Sequence, residues 1–526
     1  MVILGTDSEE VDMARYVIAS RRSGKFTRGE KVAARAAMDM LVSRMPGGVS
    51  VIEDLDPPDP TARRVILVEA SAAEARSIAQ ALPGDVILEP EILHWLGSGV
   101  PPADFASAHR RHLDGPVSSG EETGITVRVT GAGRPLGGAA VTAYLRGLGR
   151  IERSVGAVTG VDGHARLRFG NFFRASALRI DPAGGFWSMT VRGPAPVVEV
   201  DCPALPEDGP LGWWHQALGL AASRADAGRG IRVGVIDTGV GPHPALDRVR
   251  SIGAFIGGNA LAPREGRDVD SHGSHVCGII GAQPVRPGAY VGIAPGADIV
   301  SARVFPPGAG ANQADIANAI DALSHDHRVD LINMSLGAPQ ASEIERDAII
   351  DAFERGTLCI CAAANSAGPV EYPAAFPETV AVSALGLLGW GPPGSVAASR
   401  MPDLRDAFGI DNLFLANFSC YGPEIDCAAP GVGIISTVPA RDGMAAPYAA
   451  FDGTSMASPA ASAVLAVVLA DDAVFAALPR DQSRAAYARR RLIDACRDIA
   501  LSPERQGRGI PTATPIGRNA VEPDSE

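Results

Sequence analysis

The feature of this 526-residue chain that most constrains its fold is an alternation of short apolar runs with helical patterns after about residue 206. The runs at 231–236, 331–335 and 358–362 are almost continuously apolar. Such strands are typical of parallel sheets that helices cover on both faces. Residues 206–505 therefore predict one large α/β domain with three layers.

The first 95 residues predict a smaller α+β domain. Two capping-box patterns, Thr27 with Glu30 and Ser71 with Glu74, predict the starts of two helices. Strand-like runs surround these helices, at 2–4, 49–55, 64–68 and 85–89. The resulting β-α-β-β-α-β order is typical of a ferredoxin-like fold.

Three further segments complete the predicted organisation. Residues 96–122 are rich in Pro, Gly and Ser and predict a linker. In 123–205 apolar and polar residues alternate between glycine turns, which predicts a small β-sandwich. The stretch from Gly133 to Ala139 resembles the opening of transthyretin-like, carboxypeptidase-regulatory modules. Polar residues dominate 506–526, and we expect a loose C-terminal tail there.

Charge and cysteine usage exclude some classes of function. The chain has 47 Lys and Arg against 60 Asp and Glu, a net charge of −13. Nucleic-acid and anionic-membrane binders require basic patches, so neither partner is expected. The seven cysteines are dispersed and lack the spacing of a zinc site, which favours reduced thiols and predicts no metal or other cofactor.

Two segments, the N-terminus and residues 453–470, bear on targeting and membrane insertion. The N-terminus carries acidic residues from position 7 onward and shows no secretory signal, so we expect a cytoplasmic protein. Residues 453–470 are uncharged and reach the lower length limit of a membrane span. Their Ser, Thr and Pro content favours a buried helix instead.

Three segments of the α/β domain carry residues suited to nucleophilic catalysis. Asp237 follows a buried strand, at the sheet edge where α/β proteins place ligand sites. His272 and His275 lie three residues apart without the Glu of a zinc protease between them, so one of them suits a general base. Ser455 precedes an apolar helix, whose first N–H groups favour developing negative charge. Each segment alone is also compatible with an ordinary structural role.

Together these segments resemble the signatures of subtilisin-like serine proteases. The matching stretches are Asp237-Thr238-Gly239, His272-Gly273-Ser274-His275-Val276 and Gly453-Thr454-Ser455-Met456-Ala457-Ser458-Pro459. Their order along the chain, Asp, His and then Ser, is that of the same family. The stretch 362–365 resembles its strand ending in an oxyanion asparagine, and 333–337 resembles the strand that lines its specificity pocket.

The resemblance implies a role for each matching residue. Ser455 would attack the scissile carbonyl, His272 would accept the proton, and Asp237 would stabilise the imidazolium. The Asn365 side chain and the Ser455 N–H would bind the oxyanion. Substrate-binding residues would be Ser335, Leu336, Gly337, Ala363 and Ala364. His243 and His275 are interpreted as structural, and the expected partner is a protein or peptide substrate.

The sequence departs from the family pattern at three places. Ala364 stands where the family usually has glycine, which alters one wall of the predicted pocket. The turn His243-Pro244-Ala245-Leu246 lacks the Asp that commonly serves a calcium site, so no calcium ion is predicted. Residues 386–416 have the composition of an insertion, which would either shape substrate access or decorate the surface.

The N-terminal domain acquires an interpretation from the same resemblance. Its last strand, Ile87-Leu88-Glu89-Pro90-Glu91, resembles the end of subtilisin propeptides, which act as chaperones and inhibitors. The leading hypothesis is a serine endopeptidase that its own N-terminal domain restrains. The alternatives are a peptide ligase or macrocyclase, a maturation protease for one specific peptide, and an inert scaffold. The oligomeric state is left open.

Overall fold

The computed structural model describes residues 13–24, 28–57, 59, 62–96, 122–147, 152–206, 211–222, 224–285, 289–442, 444 and 446–513. These residues form an N-terminal α+β domain, a β-sandwich and a large α/β domain, in that order along the chain. The strand predicted at 2–4 and the helix cap predicted at Thr27 lie outside the described residues.

The N-terminal domain has the predicted β-α-β-β-α-β order. Its elements are β1 (Met13–Ser20), α1 (Arg28–Ser43), β2 (Ser50–Leu55), β3 (Val65–Ser71), α2 (Ala72–Ala81) and β4 (Val86–Pro90), followed by a separate strand, β5 (Leu93–Leu96). The sheet has the order β2-β3-β1-β4. The predicted capping box is confirmed, because Ser71 Oγ accepts from the Glu74 N–H and Glu74 accepts from the Ser71 N–H. The first strand of the sheet, β1, was not predicted.

The β-sandwich consists of two four-stranded sheets. Its strands are β6 (Glu122–Gly131), β7 (Arg134–Pro135), β8 (Ala140–Gly147), β9 (Glu152–Val158), β10 (His164–Gly170), β11 (Phe173–Asp181), β12 (Met189–Arg192) and β13 (Val197–Asp201). One sheet has the order β10-β6-β13 with β7 beside β6, and the other has the order β12-β11-β8-β9. Alternate side chains of both sheets form the core, as the period-two pattern predicts.

The α/β domain contains the remaining elements. They are α3 (Trp213–Ala217), β14 (Arg232–Asp237), β15 (Arg250–Ile256), β16 (Asn259–Leu261), α4 (His272–Gly281), β17 (Asp298–Arg303), β18 (Ala311–Asn312), α5 (Gln313–Asp321), β19 (Leu331–Met334), β20 (Leu336–Gly337), α6 (Glu343–Glu354), β21 (Leu358–Ala362), β22 (Val380–Leu387), β23 (Leu413–Leu415), β24 (Ile425–Pro430), β25 (Ile434–Thr437), β26 (Tyr448–Phe451), α7 (Thr454–Ala470), α8 (Ala473–Ala477), α9 (Gln482–Asp494), β27 (Cys496–Arg497), α10 (Pro503–Gln506) and β28 (Ile510–Pro511).

Its central sheet is parallel and buried on both faces. The parallel strands have the order β15-β17-β14-β19-β21-β22-β24, and β16 and β23 add antiparallel strands. Alternate residues of each strand enter different cores: Val235 packs with α4 and α7, whereas Ile236 packs with α5 and α6. The predicted three-layer α/β architecture is therefore present.

The N-terminal domain packs on the face that carries α5 and α6. One side of its sheet covers its own helices, through residues such as Ile18 and Met38. The other side, including Val17 and Val65, joins the core that α5 and α6 form with the central sheet. The small domain is therefore continuous with the hydrophobic core of the large one.

The stretch interpreted as an insertion links the β-sandwich to the α/β domain. The Val396 N–H donates to Ser188 O, and the Thr190 N–H donates to Gly394 O, each at 2.8 or 2.9 Å. Trp390 contacts Trp187 edge to face, with ring centroids 5.6 Å apart. Because β23 belongs to the central sheet, the C-terminal part of this stretch is an element of the core fold.

Three other expectations concern the C-terminal tail, the cysteines and the uncharged stretch. Part of the predicted loose tail is ordered, because α10 and β28 pack onto the domain and Ile510 is fully buried. All seven cysteines are free thiols. In the part of the chain that the structure describes, no helix is long and apolar enough to cross a membrane. The uncharged stretch forms α7, a buried helix of the core.

Candidate active site

Asp237 and His272 meet at the carboxyl edge of the central sheet. Asp237 is the last residue of β14, and His272 is the first residue of α4. Nδ1 of His272 lies 2.7 Å from Oδ1 of Asp237, and both side chains are buried. The same carboxylate oxygen accepts from the Thr238 N–H at 2.7 Å. A buried imidazole is thus fixed at one nitrogen, and no described residue hydrogen-bonds its Nε2.

The loop before His272 is held by a residue that the sequence analysis did not single out. Asp268 accepts from the N–H groups of Asp270, Ser271 and Ser274, and from the hydroxyls of Thr238 and Ser274. These bonds hold Ser271 at a φ of +105°, a conformation that is strained for a residue with a side chain. The strained turn sets where α4 begins, and with it the position of His272.

The electrostatic surroundings favour a protonated imidazole at His272. Burial by itself disfavours the charged ring, but the charge and hydrogen bond of Asp237 outweigh this effect, with contributions from Asp270 and Asp268. The pKa of His272 is therefore raised above its usual value. Such a ring stabilises a proton that it receives from a neighbouring hydroxyl.

Ser455 lies in the first turn of α7, and a proline shapes its surroundings. Pro459 has no N–H, so the carbonyl of Ser455 lacks its usual helical donor four residues along. The hydroxyl of Ser335 donates to that carbonyl instead, at 2.9 Å. In return, Oγ of Ser455 donates to the carbonyl oxygen of Ser335 at 3.2 Å. The two serines therefore fix β19 and its following residue against the start of α7.

A buried polar network lies behind this pair. Asn333 donates from Nδ2 to Oγ of Ser335 at 3.0 Å, and Ser462 donates to Oδ1 of Asn333 at 3.2 Å. Ser458 lies 3.1 Å from the same Ser335 hydroxyl. The network is internally satisfied, as buried polar groups must be if they are to add rigidity.

Asn365 is oriented by the residue before the serine. Its Oδ1 accepts from both the N–H and the hydroxyl of Thr454, at 2.9 and 3.0 Å. Because Oδ1 is occupied in this way, the amide nitrogen Nδ2 is directed to the other side of the group. These two bonds attach Asn365 to the first turn of α7.

The predicted pocket residues divide into two groups. Leu336 and Gly337 form β20, and Ala364 faces Gly337 closely enough that a methyl group on the glycine would lie 3.5 Å from its Cβ. Ala364 has a φ of +83°, which explains why glycine would suit this position better. All five residues are buried, but the Ser335 side chain differs in pointing into the network behind Ser455.

His243 and His275, the two histidines interpreted as structural, have buried surroundings and hydrogen bonds to the backbone. Nε2 of His275 lies 2.9 Å from Ile434 O and 3.1 Å from Ala449 O, and its ring stacks on Phe451. Burial lowers the pKa of His275 to about 3. His243 accepts from the Ala245 N–H at the start of a short helical turn, and burial lowers its pKa to about 4.

The cleft beside these residues is occupied by the chain's own N-terminal part. Strand β5 lies between β18 and β20 and is antiparallel to both. Trp95 pairs with Gly337 and Leu96 with Leu336, so the next residue along that edge is Ser335, which contacts Ser455. The strand predicted at 85–89 is β4, whereas β5 was not predicted from the sequence.

A parallel sheet with this Asp, His and Ser order at its carboxyl edge defines the class of subtilisin-type serine peptidases, which are hydrolases. A profile described as the Subtilase family matches residues 228–507, more than half of the chain. This chain belongs to the subtilase family.

Individual relatives match just under half of this chain. M-protease of Shouchella clausii is 31% identical over 249 residues, which cover 47% of this chain and 56% of that protein. Subtilisin Savinase of Lederbergia lenta is 31% identical over 47% of this chain and 79% of its own length. The major intracellular serine protease of Bacillus subtilis is 33% identical over 46% of this chain and 69% of its own length.

One solved structure resembles nearly the whole chain. Fervidolysin from Fervidobacterium pennivorans, described as a keratinolytic enzyme related to subtilisin, aligns with 96% of this chain and 61% of its own, with a TM-score of 0.57. At 19% identity this likeness concerns the fold alone. It extends beyond the region that the family profile matches.

Proposed function

We propose that this chain is a serine endopeptidase that acts through an acyl-enzyme on Ser455 and is restrained by its N-terminal domain. The observation that carries the proposal is the hydrogen bond between His272 and Asp237 at the sheet edge where Ser455 opens α7. Family membership supports the reaction class, and the three residues supply the groups that it needs.

The reaction assigns one task to each group. Ser455 Oγ attacks the carbonyl carbon of a bound peptide while Nε2 of His272 takes its proton, and Asp237 stabilises the resulting imidazolium. Nδ2 of Asn365 and the Ser455 N–H donate to the oxyanion. The proton then passes from His272 to the leaving amine, and water repeats the sequence to release the acid.

The restraint rests on how the N-terminal domain is attached to the α/β domain. Strand β5 fills the edge positions between β18 and β20 that an extended peptide substrate would use. The Glu89 carboxylate accepts from the Glu343 N–H at 2.9 Å and from the Ser342 hydroxyl, so it caps the N-terminus of α6. Strand β5 and Glu89 both belong to the N-terminal part of the chain, so the strand that fills the edge positions and the residue that caps α6 are held together.

Buried ion pairs strengthen this attachment. The Arg63 guanidinium is buried between two helices of the α/β domain, with Nε 3.1 Å from Asp321 and Nη1 2.8 Å from Asp347. Asp347 also accepts from the Arg22 N–H at 2.7 Å. If one partner were removed, the others would stay buried without it in the docked arrangement, so docking depends on the complete set of charges.

The test compares the wild-type chain with Ser455→Ala on a peptide library read by mass spectrometry. We expect fragments whose summed mass exceeds that of the substrate by one water, produced by the wild type alone. Products joined to an added amine would instead indicate the ligase alternative. Equal cleavage by both chains would contradict the proposal.

A further inference from the structure

The strand in the cleft places one polar side chain in a buried pocket. Along β5 the side chains alternate, so Leu93 and Trp95 are exposed whereas His94 is fully buried. Nε2 of His94 lies 3.0 Å from Oε2 of Glu345, which is also fully buried. The pair is therefore closed off from solvent.

Glu345 belongs to the α/β domain and is built into the wall of the cleft. It lies in the first turn of α6, and its N–H donates to Oγ of Ser342 at 3.1 Å. Carboxylates are favoured near helix N-termini, which helps this one to persist in the interior. The core on this side of the sheet includes Leu336, Ile344 and Ala348, and the Ser342 hydroxyl beside Glu345 donates to the Glu89 carboxylate.

The pocket needs an N–H donor to be satisfied. A carboxylate only accepts hydrogen bonds, and neither Oε1 of Glu345 nor Nδ1 of His94 has a partner among the described residues, so the bond between Nε2 and Oε2 is the one that satisfies the pair. A substrate with an apolar side chain at this position would leave both oxygens buried and unpaired. A buried unsatisfied polar group is strongly disfavoured, so the pocket discriminates by chemistry as well as by size.

We propose that Glu345 is a specificity-determining residue that selects a histidine at the substrate position corresponding to His94. This inference rests on the proposed function, because it takes β5 as the guide to how a substrate lies. Counting along the strand, the selected residue is two positions before the one that pairs with Leu336. The side chain one position after the histidine is solvent-facing, as Trp95 is, and contributes little selectivity.

The test places two peptides in competition for the full chain. They are identical except for His or Leu at the position of His94, within the sequence Leu-His-Trp-Leu that the chain itself presents. Competition in one vessel gives the ratio of the two kcat/KM values whatever fraction of the enzyme is open. We expect the wild type to prefer His by about 10- to 100-fold, the contribution of one hydrogen bond to a charged group.

Two variants distinguish an effect of the Glu345 side chain on the His preference from an effect of removing any negative charge from this helix turn. In Glu345→Leu the preference should fall to 1 or reverse toward Leu. Glu343→Leu removes the same charge from the same helix turn, but its side chain is exposed, so the His preference should stay as in the wild type.

The outcomes are distinguishable. Cleavage of both peptides with a ratio near 1 in the wild type, or a ratio that Glu345→Leu leaves unchanged, overturns this inference and leaves the proposed function intact. If neither peptide nor any library member is cleaved, the proposed function falls and this inference with it.

Discussion

The hydroxyl of Ser455 donates to the carbonyl oxygen of Ser335 at 3.2 Å, while the hydroxyl of Ser335 donates back to the carbonyl of Ser455 at 2.9 Å. The second bond replaces the helical donor that Pro459 cannot supply. The prediction that Ser335 binds substrate stays a prediction; its side chain holds the backbone at Ser455.

Replacing Ser335 by alanine should therefore affect turnover more than binding. We expect Ser335→Ala to lower kcat by about tenfold, equivalent to about 1.4 kcal/mol, because the Ser455 carbonyl loses its donor and the start of α7 relaxes. KM should change by less than about twofold. Steady-state kinetics on one peptide checks this.

Ser458→Ala is the matched control for that change. It removes a neighbouring hydroxyl of the same network but leaves the bond from Ser335 to Ser455 in place. An equal loss of kcat in both variants would show that the network as a whole, rather than this bond, positions the serine.

The φ of +83° at Ala364 predicts a stabilising substitution. Ala364→Gly should raise the free energy of unfolding by about 1 kcal/mol, because relief of backbone strain exceeds the added entropy of the unfolded chain. The change also removes the methyl group that faces Gly337. Denaturant unfolding in a Ser455→Ala background, which prevents self-digestion, measures the effect.

Ala363→Gly serves as the comparison. Ala363 is buried and does not have a positive φ, so a glycine there should destabilise the protein by about 0.5–1 kcal/mol. If both glycine variants were destabilised alike, the strain at Ala364 would have to be rejected as the explanation.

The raised pKa of His272 predicts the pH dependence of activity. His272 must be unprotonated to accept the serine proton, so kcat/KM should increase with pH through a midpoint above the ordinary histidine value of about 6.5. Asp268→Asn removes one of the charges that raise this pKa and should shift the midpoint to lower pH. It should also lower kcat, because Asp268 fixes the loop before His272.

A pH–rate profile of both chains measures the shift. Asp247→Asn, a change of the same charge at an exposed position, should leave the midpoint where it is. A midpoint that moves upward in Asp268→Asn would contradict the electrostatic account.

Arg63 predicts how firmly the N-terminal domain restrains the site. Arg63→Met leaves Asp321 and Asp347 buried with a partner removed, which weakens docking by about 3–5 kcal/mol. Reaction of Ser455 with a fluorophosphonate probe should then be at least about 100-fold faster than in the wild type. Arg15→Met, which breaks a long ion pair between the exposed Arg15 and the partly buried Glu91, should change this rate by less than about fivefold. Equal rates for wild type and Arg63→Met would contradict the role of the ion pairs.

The catalytic segments could be predicted from the sequence because each is a short local pattern at the end of a buried strand or the start of a helix. Asp237 is hydrogen-bonded to His272, and Asn365 is hydrogen-bonded to Thr454, the residue before Ser455 in the first turn of α7. The parallel sheet followed in the same way from its continuous apolar runs.

Other features depend on contacts between distant parts of the chain. His94 and Glu345 are 251 residues apart, and neither belongs to a motif. Asp268 looks like an ordinary loop residue until its five hydrogen bonds are seen, although its place just before His272 hints at a turn-forming role. Strand β1 was missed because Arg15 interrupts its apolar pattern. The docking of Val396 on the β-sandwich likewise has no local signal.

The most direct test of the central claim is where a fluorophosphonate probe attaches to the full chain. After incubation between pH 6 and 9, the adduct is located by peptide mapping and mass spectrometry, with Ser455→Ala and His272→Ala treated in parallel. The account predicts one adduct, on Ser455, that is absent in Ser455→Ala and at least about 100-fold slower to form in His272→Ala. An adduct elsewhere, or none in either the wild type or the opened Arg63→Met chain, would contradict it.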